Sequence, residues 1–132
     1  MRYLLDTNII SDFIRNPQGK AASRALKKDP ATLCTSIIVA AEMWFGAVKC
    51  RSASLQMKLS DLFKKIEVLP FEAPSEITYA EYRAELERRG LPIGANDLLI
   101  AAHARTLGAI LVTDNVREFS RLKNLKIENW LR

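Results

Sequence analysis

The sequence predicts an α/β fold, in which a single domain has a short, mostly parallel central sheet of four to five strands with helices on both faces. Short apolar runs alternate with longer segments of helical character along all 132 residues. Strands that alternate with helices form parallel sheets whose two faces the helices cover. No repeat, low-complexity stretch or long linker interrupts the pattern, so residues 1–132 are expected to form one domain.

The first half of the chain is predicted to contain two strands and four helices. A short apolar run forms a strand at residues 3–5, and the Asn-Pro-Gln-Gly segment at 16–19 separates the next two helices. The Asp29-Pro30 pair stops the second of them, and Ser36 suits the N-cap of a long apolar helix. The predicted helices are 8–15, 20–28, 36–48 and 54–64, and the second strand is 32–35.

The second half is predicted to contain three strands and three helices. The Pro74-Ser75 pair opens a long amphipathic helix, and Gly90 suits its C-terminal cap. The Gly-Ala-Asn segment at 94–96 opens the next helix. The predicted strands are 67–69, 109–112 and 126–127, and the helices are 74–90, 94–107 and 117–121.

Composition restricts the functional classes. The chain has one histidine, two cysteines and no Cys-x-x-Cys pair, which argues against a Cys/His zinc site and any mechanism that needs two histidines. No apolar run is long enough to span a bilayer, and an acid follows the first three apolar residues, so neither a membrane segment nor a signal peptide is expected. We therefore expect a cytoplasmic protein with reduced thiols. Its net charge of +5 favours an anionic partner such as nucleic acid.

Three acidic residues lie in apolar surroundings, unlike most of the 15 in the chain. Asp6 follows the first strand, Glu42 is the only charge in an apolar helix, and Asp97 begins another apolar segment. A buried carboxylate needs a partner, and no Lys or Arg lies one turn from Glu42 on its helix. The partner is either a cation from elsewhere in the fold or a divalent metal that the three acids share. Oxygen ligands select Mg²⁺, with Mn²⁺ as a possible substitute.

The rules for parallel sheets locate further candidates. Ligands bind beyond the carboxyl ends of the strands, which is where Asp6 lies. Asp114 and Asn115 follow the fourth strand and are expected at the same edge of the sheet. The small polar residues beside the acids are expected to orient the carboxylates: Thr7, Asn8, Ser36 and Thr113.

Four motifs follow one another along the chain. They are Leu-Leu-Asp-Thr-Asn at 4–8, Thr35-Ser36 with Ala-Ala-Glu-Met-Trp-Phe-Gly-Ala at 40–47, Gly-Ala-Asn-Asp-Leu-Leu-Ile-Ala-Ala-His-Ala at 94–104 and Val-Thr-Asp-Asn-Val-Arg-Glu-Phe at 112–119. In order and spacing they resemble the motifs of PIN domains, and most closely those of VapC toxins from bacterial type II toxin–antitoxin modules. The resemblance implies an Mg²⁺-dependent endoribonuclease that forms a homodimer. It also implies a VapB-type antitoxin as partner, and operator DNA that is bound only through this antitoxin. The chain is most similar to VapC toxins that cleave initiator tRNA in its anticodon loop.

The fourth motif departs from the usual pattern. Many PIN domains have an acid where this chain has Asn115, and here the acid falls one residue earlier, at Asp114. The fourth active-site residue is therefore Asp114 or Asn115. We expect Asp6 and Asp97 to bind the metal directly, and Glu42 to bind it through water or to accept the nucleophile's proton. Attack by water predicts products with 5′-phosphate and 3′-hydroxyl ends.

Other interpretations are also open at this stage. A haloacid-dehalogenase-like phosphatase also has an Asp after its first strand, but needs a second Asp where this chain has Asn8. A non-catalytic binding domain is the other alternative. His103 is expected to be structural rather than a base, and Trp44 and Phe45 to pack in the core or in a dimer. Basic residues are candidates for a phosphate-binding rim: Lys27-Lys28, Lys49 with Arg51, Lys64-Lys65, Arg88-Arg89 and Arg117 with Arg121.

Overall fold

The computed structural model describes residues 1–132 and contains one five-stranded parallel sheet with the order β3-β2-β1-β4-β5. The strands are β1 (Tyr3–Leu5), β2 (Leu33–Ser36), β3 (Glu67–Leu69), β4 (Ile110–Val112) and β5 (Ile127–Glu128). The helices are α1 (Thr7–Arg15), α2 (Lys20–Leu26), α3 (Ile37–Lys49), α4 (Ala53–Lys65), α5 (Ser75–Arg88), α6 (Ala95–Leu107) and α7 (Val116–Phe119). The predicted fold class is confirmed, and the sheet is parallel throughout.

The centre of the sheet is apolar on both faces. β1 lies between β2 and β4, with Leu5 opposite Val112 in register. Leu4, Leu5, Leu111 and Val112 have no solvent-exposed surface. Strands that helices cover on both faces lack the alternation of polar and apolar residues seen in one-sided sheets. This explains why each strand is recognisable in the sequence as a continuous apolar run.

The predicted elements are all present, with small differences at their ends. The second helix ends at Leu26 instead of residue 28, and the 3₁₀ helix Pro30–Thr32 follows it. Asp29 caps this short helix by accepting a hydrogen bond from the Ala31 N–H at 3.0 Å. No helix of the structure combines the length and the apolar character needed to span a membrane.

The apolar helix α3 is less buried than its composition predicts. Its inner face carries Val39 and Met43, which are buried. On the opposite side Ile37, Phe45 and Val48 are exposed, and the exposed fraction of Phe45 is 66%. In the single chain this apolar helix is therefore buried on one side only, and Glu42 on it is partly buried.

Helices α5 and α6 form a pair that presents the start of α6 at the carboxyl edge of the sheet. The Thr106 hydroxyl donates to that of Thr78 at 3.1 Å, which joins the end of α6 to the start of α5. Gly108 ends α6 with φ 66°, the left-handed conformation that glycine adopts without strain, and the chain then enters β4. The start of α6 therefore lies at the same edge of the sheet as the end of β1.

Candidate active site

Asp6 forms the centre of a hydrogen-bonded cluster at the carboxyl end of β1. It is only 3% exposed and is the N-cap of α1, where its Oδ1 accepts the Thr7 N–H at 2.8 Å. Its Oδ2 accepts the Thr113 hydroxyl at 2.7 Å and, more weakly, the Asn8 amide at 3.4 Å. Burial is the main reason that its pKa is raised, against the lowering effect of these donors. No cation is bonded to it, so its negative charge is uncompensated within the protein.

Glu42 is attached to the same cluster through α1. The Thr7 hydroxyl donates to Glu42 Oε1 at 2.9 Å, and the Asn96 amide donates to Oε2 at 3.4 Å. The partners that Glu42 was predicted to need from elsewhere in the fold are thus a hydroxyl and an amide. No Lys or Arg forms an ion pair with Glu42. The buried salt bridge that the sequence left open is therefore absent.

Asp97 lies in the first turn of α6 and faces the other acids. Its pKa is raised to about 6, first by burial and then by the negative charges of Asp6, Glu42 and Glu118. The N-terminal end of a helix favours a negative charge, so burial and repulsion here outweigh the helix dipole. The three predicted acids are therefore close enough to repel one another.

Glu118 is a fourth acid at this site that the sequence prediction overlooked. It lies in α7, is partly exposed, and its charge contributes to the raised pKa of Asp97. Glu118 occupies a mixed polar stretch, where a solvated acid is the ordinary interpretation. Its place in the fourth motif, three residues after Asn115, was the available signal.

Asp114 is exposed, and its carboxylate contacts the C-terminal segment. Its backbone N–H donates to Asn8 Oδ1 at 2.9 Å, while its carboxylate accepts the Asn129 amide at 2.9 Å. The Arg132 guanidinium lies 3.6 Å from the same carboxylate oxygen. Asp114 therefore supports Asn8 and the C-terminal segment. Asn115, and not Asp114, is the N-cap residue of α7, and its backbone N–H donates to the Thr113 hydroxyl at 3.0 Å.

Of the four small polar residues predicted to orient the acids, Thr7, Asn8 and Thr113 bond to a carboxylate and Ser36 does not. The Ser36 hydroxyl accepts the Ile38 N–H at 3.1 Å as the N-cap of α3, and it pairs with His103 Nδ1 at 2.7 Å. Both side chains are buried, and burial lowers the pKa of His103. His103 also packs edge-on against Phe71, so its surroundings are those of the structural residue that the sequence predicts.

The donor set at this edge of the sheet fits a hard divalent cation. Carboxylates are the ligands that Mg²⁺ prefers, and no histidine or thiolate that would select a softer metal contacts the acids. The burial of Asp6, the partial burial of Asp97 and the repulsion of both by Glu42 are the electrostatic conditions that a cation relieves. No three Asp, Glu, His or Cys side chains are preassembled at metal-binding separation. Asp6, Asp97 and Glu42 are the residues that would hold the ion.

Residues 3–125 match the PIN domain family. Ribonuclease VapC2 of Rickettsia felis is 41% identical over 132 residues, covering 98% of both chains. This chain belongs to the VapC family of PIN-domain ribonucleases. A tRNA(fMet)-specific endonuclease VapC of Shigella flexneri is 34% identical, again over 98% of both chains.

Solved VapC structures have the same fold. The Rickettsia felis VapBC2 complex, bound to a DNA fragment from its promoter, contains a chain that aligns with a TM-score of 0.89 and 39% identity, covering 98% of this chain and 99% of that one. VapBC-1 from nontypeable Haemophilus influenzae aligns over the whole of both chains, with a TM-score of 0.88 and 34% identity. Membership of the VapC family excludes the alternative of a haloacid-dehalogenase-like phosphatase.

Proposed function

We propose that the chain is the Mg²⁺-dependent endoribonuclease toxin of a VapBC-type toxin–antitoxin module. The observation that supports this most strongly is the cluster of Asp6, Glu42 and Asp97, which repel one another at the carboxyl edge of the sheet without a protein cation. Carboxylates that are at least partly buried and repel one another destabilise the fold, and a metal ion bound for phosphodiester cleavage would relieve this repulsion.

The protein's own residues prepare the site for attack on phosphorus by water. Thr113, Asn8 and the Thr7 N–H fix the orientation of Asp6. Thr7 and Asn96 orient Glu42, which is placed to accept the proton that the attacking water releases. When bound, Mg²⁺ supplies positive charge that lowers the pKa of water and offsets charge developing on the phosphoryl oxygens. The ribose 2′-hydroxyl takes no part, so the products carry 5′-phosphate and 3′-hydroxyl ends.

Initiator tRNA is the substrate that we propose, cleaved in its anticodon loop. Relatives named tRNA(fMet)-specific endonucleases, from Shigella flexneri and Salmonella typhimurium, are 34% and 33% identical to this chain. The acids lie at the protein surface and not in a deep cavity, since Asn96 is exposed and Glu42 and Asp97 are only partly buried. Such a site accepts an unpaired loop more readily than a duplex.

The proposed partners follow from the VapBC complexes of relatives. A VapB-type antitoxin inhibits this chain, and operator DNA is bound only through that antitoxin. An Arg or Lys of the antitoxin would pair with the acids and exclude both metal and RNA. A homodimer gives the exposed apolar face of α3 a partner, since Phe45 and Val48 are otherwise in water. The reaction is expected in the cytoplasm, where tRNA is found.

The direct test incubates the pure protein with total tRNA and Mg²⁺ and maps the ends of the fragments. We expect one main cut in the anticodon loop of initiator tRNA, with 5′-phosphate ends, and no cut in EDTA. Ends carrying 2′,3′-cyclic phosphate would contradict the mechanism. Wild-type protein that cleaves no RNA under any divalent-metal condition would favour the non-catalytic alternative.

A further inference from the structure

A polar cleft, about 290 Å³ in volume, lies between α5, α6 and the segment after α7. We name it the basic cleft. Its charged lining residues are Glu81, Glu85, Arg88, Arg105, Arg121 and Lys123. Four cations against two acids leave it with a net positive charge. Arg89 adds a further cation at its border, because its Nη1 donates to the Arg121 carbonyl at 2.9 Å.

Two of the four lining cations, Arg105 and Arg121, are held in place by neutral groups, so their charge is uncompensated. Arg105 Nη1 donates to the Lys123 carbonyl at 3.0 Å, and its guanidinium lies 5.7 Å from the centre of the Tyr82 ring. Arg121 donates to the Pro92 carbonyl at 3.3 Å. Carbonyl oxygens fix the planar guanidinium groups but leave further N–H donors free. Only Arg88 has an acidic partner, Glu85, at 2.6 Å.

The cations converge strongly enough to affect that acid. The pKa of Glu85 is lowered, first by its hydrogen bond with Arg88 and further by the charges of Arg88, Lys123 and Arg89. Cations from α5 and from the segment after α7 therefore act on one point.

The segment that carries Arg121 connects the basic cleft to the candidate active site. Arg121 follows Glu118 by one turn and bonds to the loop that leads into α6. In that loop, a Cβ added at Gly94 would lie only 3.8 Å from Asp97 Oδ2. From Asp97 to Arg105 the chain runs along α6 for roughly 12 Å. This length corresponds to a few nucleotides of extended RNA.

We infer that the basic cleft binds the phosphate backbone of the RNA strand next to the scissile bond, through Arg88, Arg105, Arg121 and Lys123. This inference rests on the proposed ribonuclease function and adds the path of the substrate. It also divides the basic residues of the sequence into two groups. Arg88, Arg89 and Arg121 lie along this path. Lys64 and Lys65 instead lie at the end of α4, before β3, which is the edge strand on the opposite side of the sheet from β5.

The test measures the salt dependence of RNA binding. An Asp6→Asn background prevents cleavage, and a fluorescently labelled single-stranded RNA is titrated by anisotropy between about 50 and 200 mM salt with Mg²⁺ present. Each lost contact with a single-stranded phosphate lowers the slope of log K against log salt by about 0.7. Arg105→Gln with Lys123→Gln is expected to weaken binding several-fold and lower the slope by about 1.4. Lys64→Gln with Lys65→Gln removes equal charge and serves as the matched control.

A variant that is expected to bind RNA more tightly complements these losses of binding, because misfolding cannot explain a gain in affinity. Glu85→Gln removes a negative charge from the basic cleft and frees Arg88, so we expect tighter binding and a steeper slope. Equal slopes for the cleft and control double variants, or no gain from Glu85→Gln, would overturn the inference. If wild-type protein still cleaves RNA in that case, only the path of the substrate is wrong. If wild-type protein cleaves no RNA, the proposed function itself fails.

Discussion

Among single residues, Asp97 reports most directly on the electrostatics of the site. It is only half buried, yet its pKa is raised to about 6 because burial and three neighbouring acids disfavour its charge. A carboxyl whose pKa is higher in the folded than in the unfolded state destabilises the fold when ionised. The cost is therefore full at neutral pH and declines as the pH falls from about 6 towards 3.8, the ordinary pKa of Asp.

We predict that Asp97→Asn stabilises the metal-free protein at pH 7 and has much less effect near pH 4. The expected gain at pH 7 is about 1 kcal/mol, because solvent screens a half-exposed carboxylate. Urea unfolding in EDTA at the two pH values measures it. Saturating Mg²⁺ should reverse the order at pH 7, since only the wild type keeps the ligand. Equal stability of the two proteins in EDTA across this pH range would show that the acids do not repel one another.

The hydrogen bond between Asp114 and Asn129 can be altered to test whether Asp114 supports Asn8 or binds the metal itself. Asn129 donates to Asp114 Oδ1 and accepts the Leu131 N–H at 2.9 Å. Asn129→Asp would place two carboxylates face to face and loosen the turn that holds Asn8. We expect about a tenfold loss of kcat, the lower end of the effect of groups that orient a metal site.

Exchanging the two residues provides the control. In the double variant Asp114→Asn, Asn129→Asp the hydrogen bond reforms with donor and acceptor reversed, and net charge is unchanged. We expect cleavage assays to show that most of the lost activity returns. A double variant as inactive as Asp6→Asn would instead show that Asp114 is itself a metal ligand, as one interpretation of the fourth motif holds.

At the scale of elements, the site depends on β1 and β4 being neighbours. Thr113, at the end of β4, is fully buried and donates to Asp6, while it accepts the N–H of Asn115. Thr113→Val removes this hydroxyl and leaves buried partners unsatisfied. We predict a loss of about 1–3 kcal/mol in the free energy of unfolding, together with slower cleavage and a further raised pKa of Asp6.

Urea unfolding and RNA cleavage rates measure this effect, and Thr113→Ser is the matched control because it keeps the hydroxyl. We expect the serine variant to retain most of the activity. If Thr113→Val cleaves RNA at the wild-type rate, the orientation of Asp6 does not depend on its bond to β4.

The elements were more predictable than their arrangement. Each buried strand is a short apolar run and each helix has its own cap or turn signal, so local chemistry indicates both. The order β3-β2-β1-β4-β5 depends on how the helices pack and has no local signal. For the same reason Asp6 was recognisable alone, whereas the contributions of Asn96 and Glu118 appear only once α6 and α7 are placed beside β1 and β4.

For the molecule as a whole, charge is distributed unevenly. The net charge is +5, yet the carboxyl edge of the sheet brings together Asp6, Glu42, Asp97 and Glu118. The net positive charge attracts a polyanion to the protein, while the cluster of acids provides one site for a cation. We therefore expect the acids to bind Mg²⁺ and the surrounding surface to bind RNA.

The most direct test of this account is the rate of tRNA cleavage by wild type and Asp6→Asn as a function of Mg²⁺ concentration. We predict that wild-type cleavage rises from nothing in EDTA to a plateau with Mg²⁺. Asp6→Asn is predicted to be slower by roughly a thousandfold at every concentration, the loss expected when a group that acts directly in catalysis is removed. Cleavage by Asp6→Asn at the wild-type rate, or wild-type cleavage that persists in EDTA, would contradict the central claim.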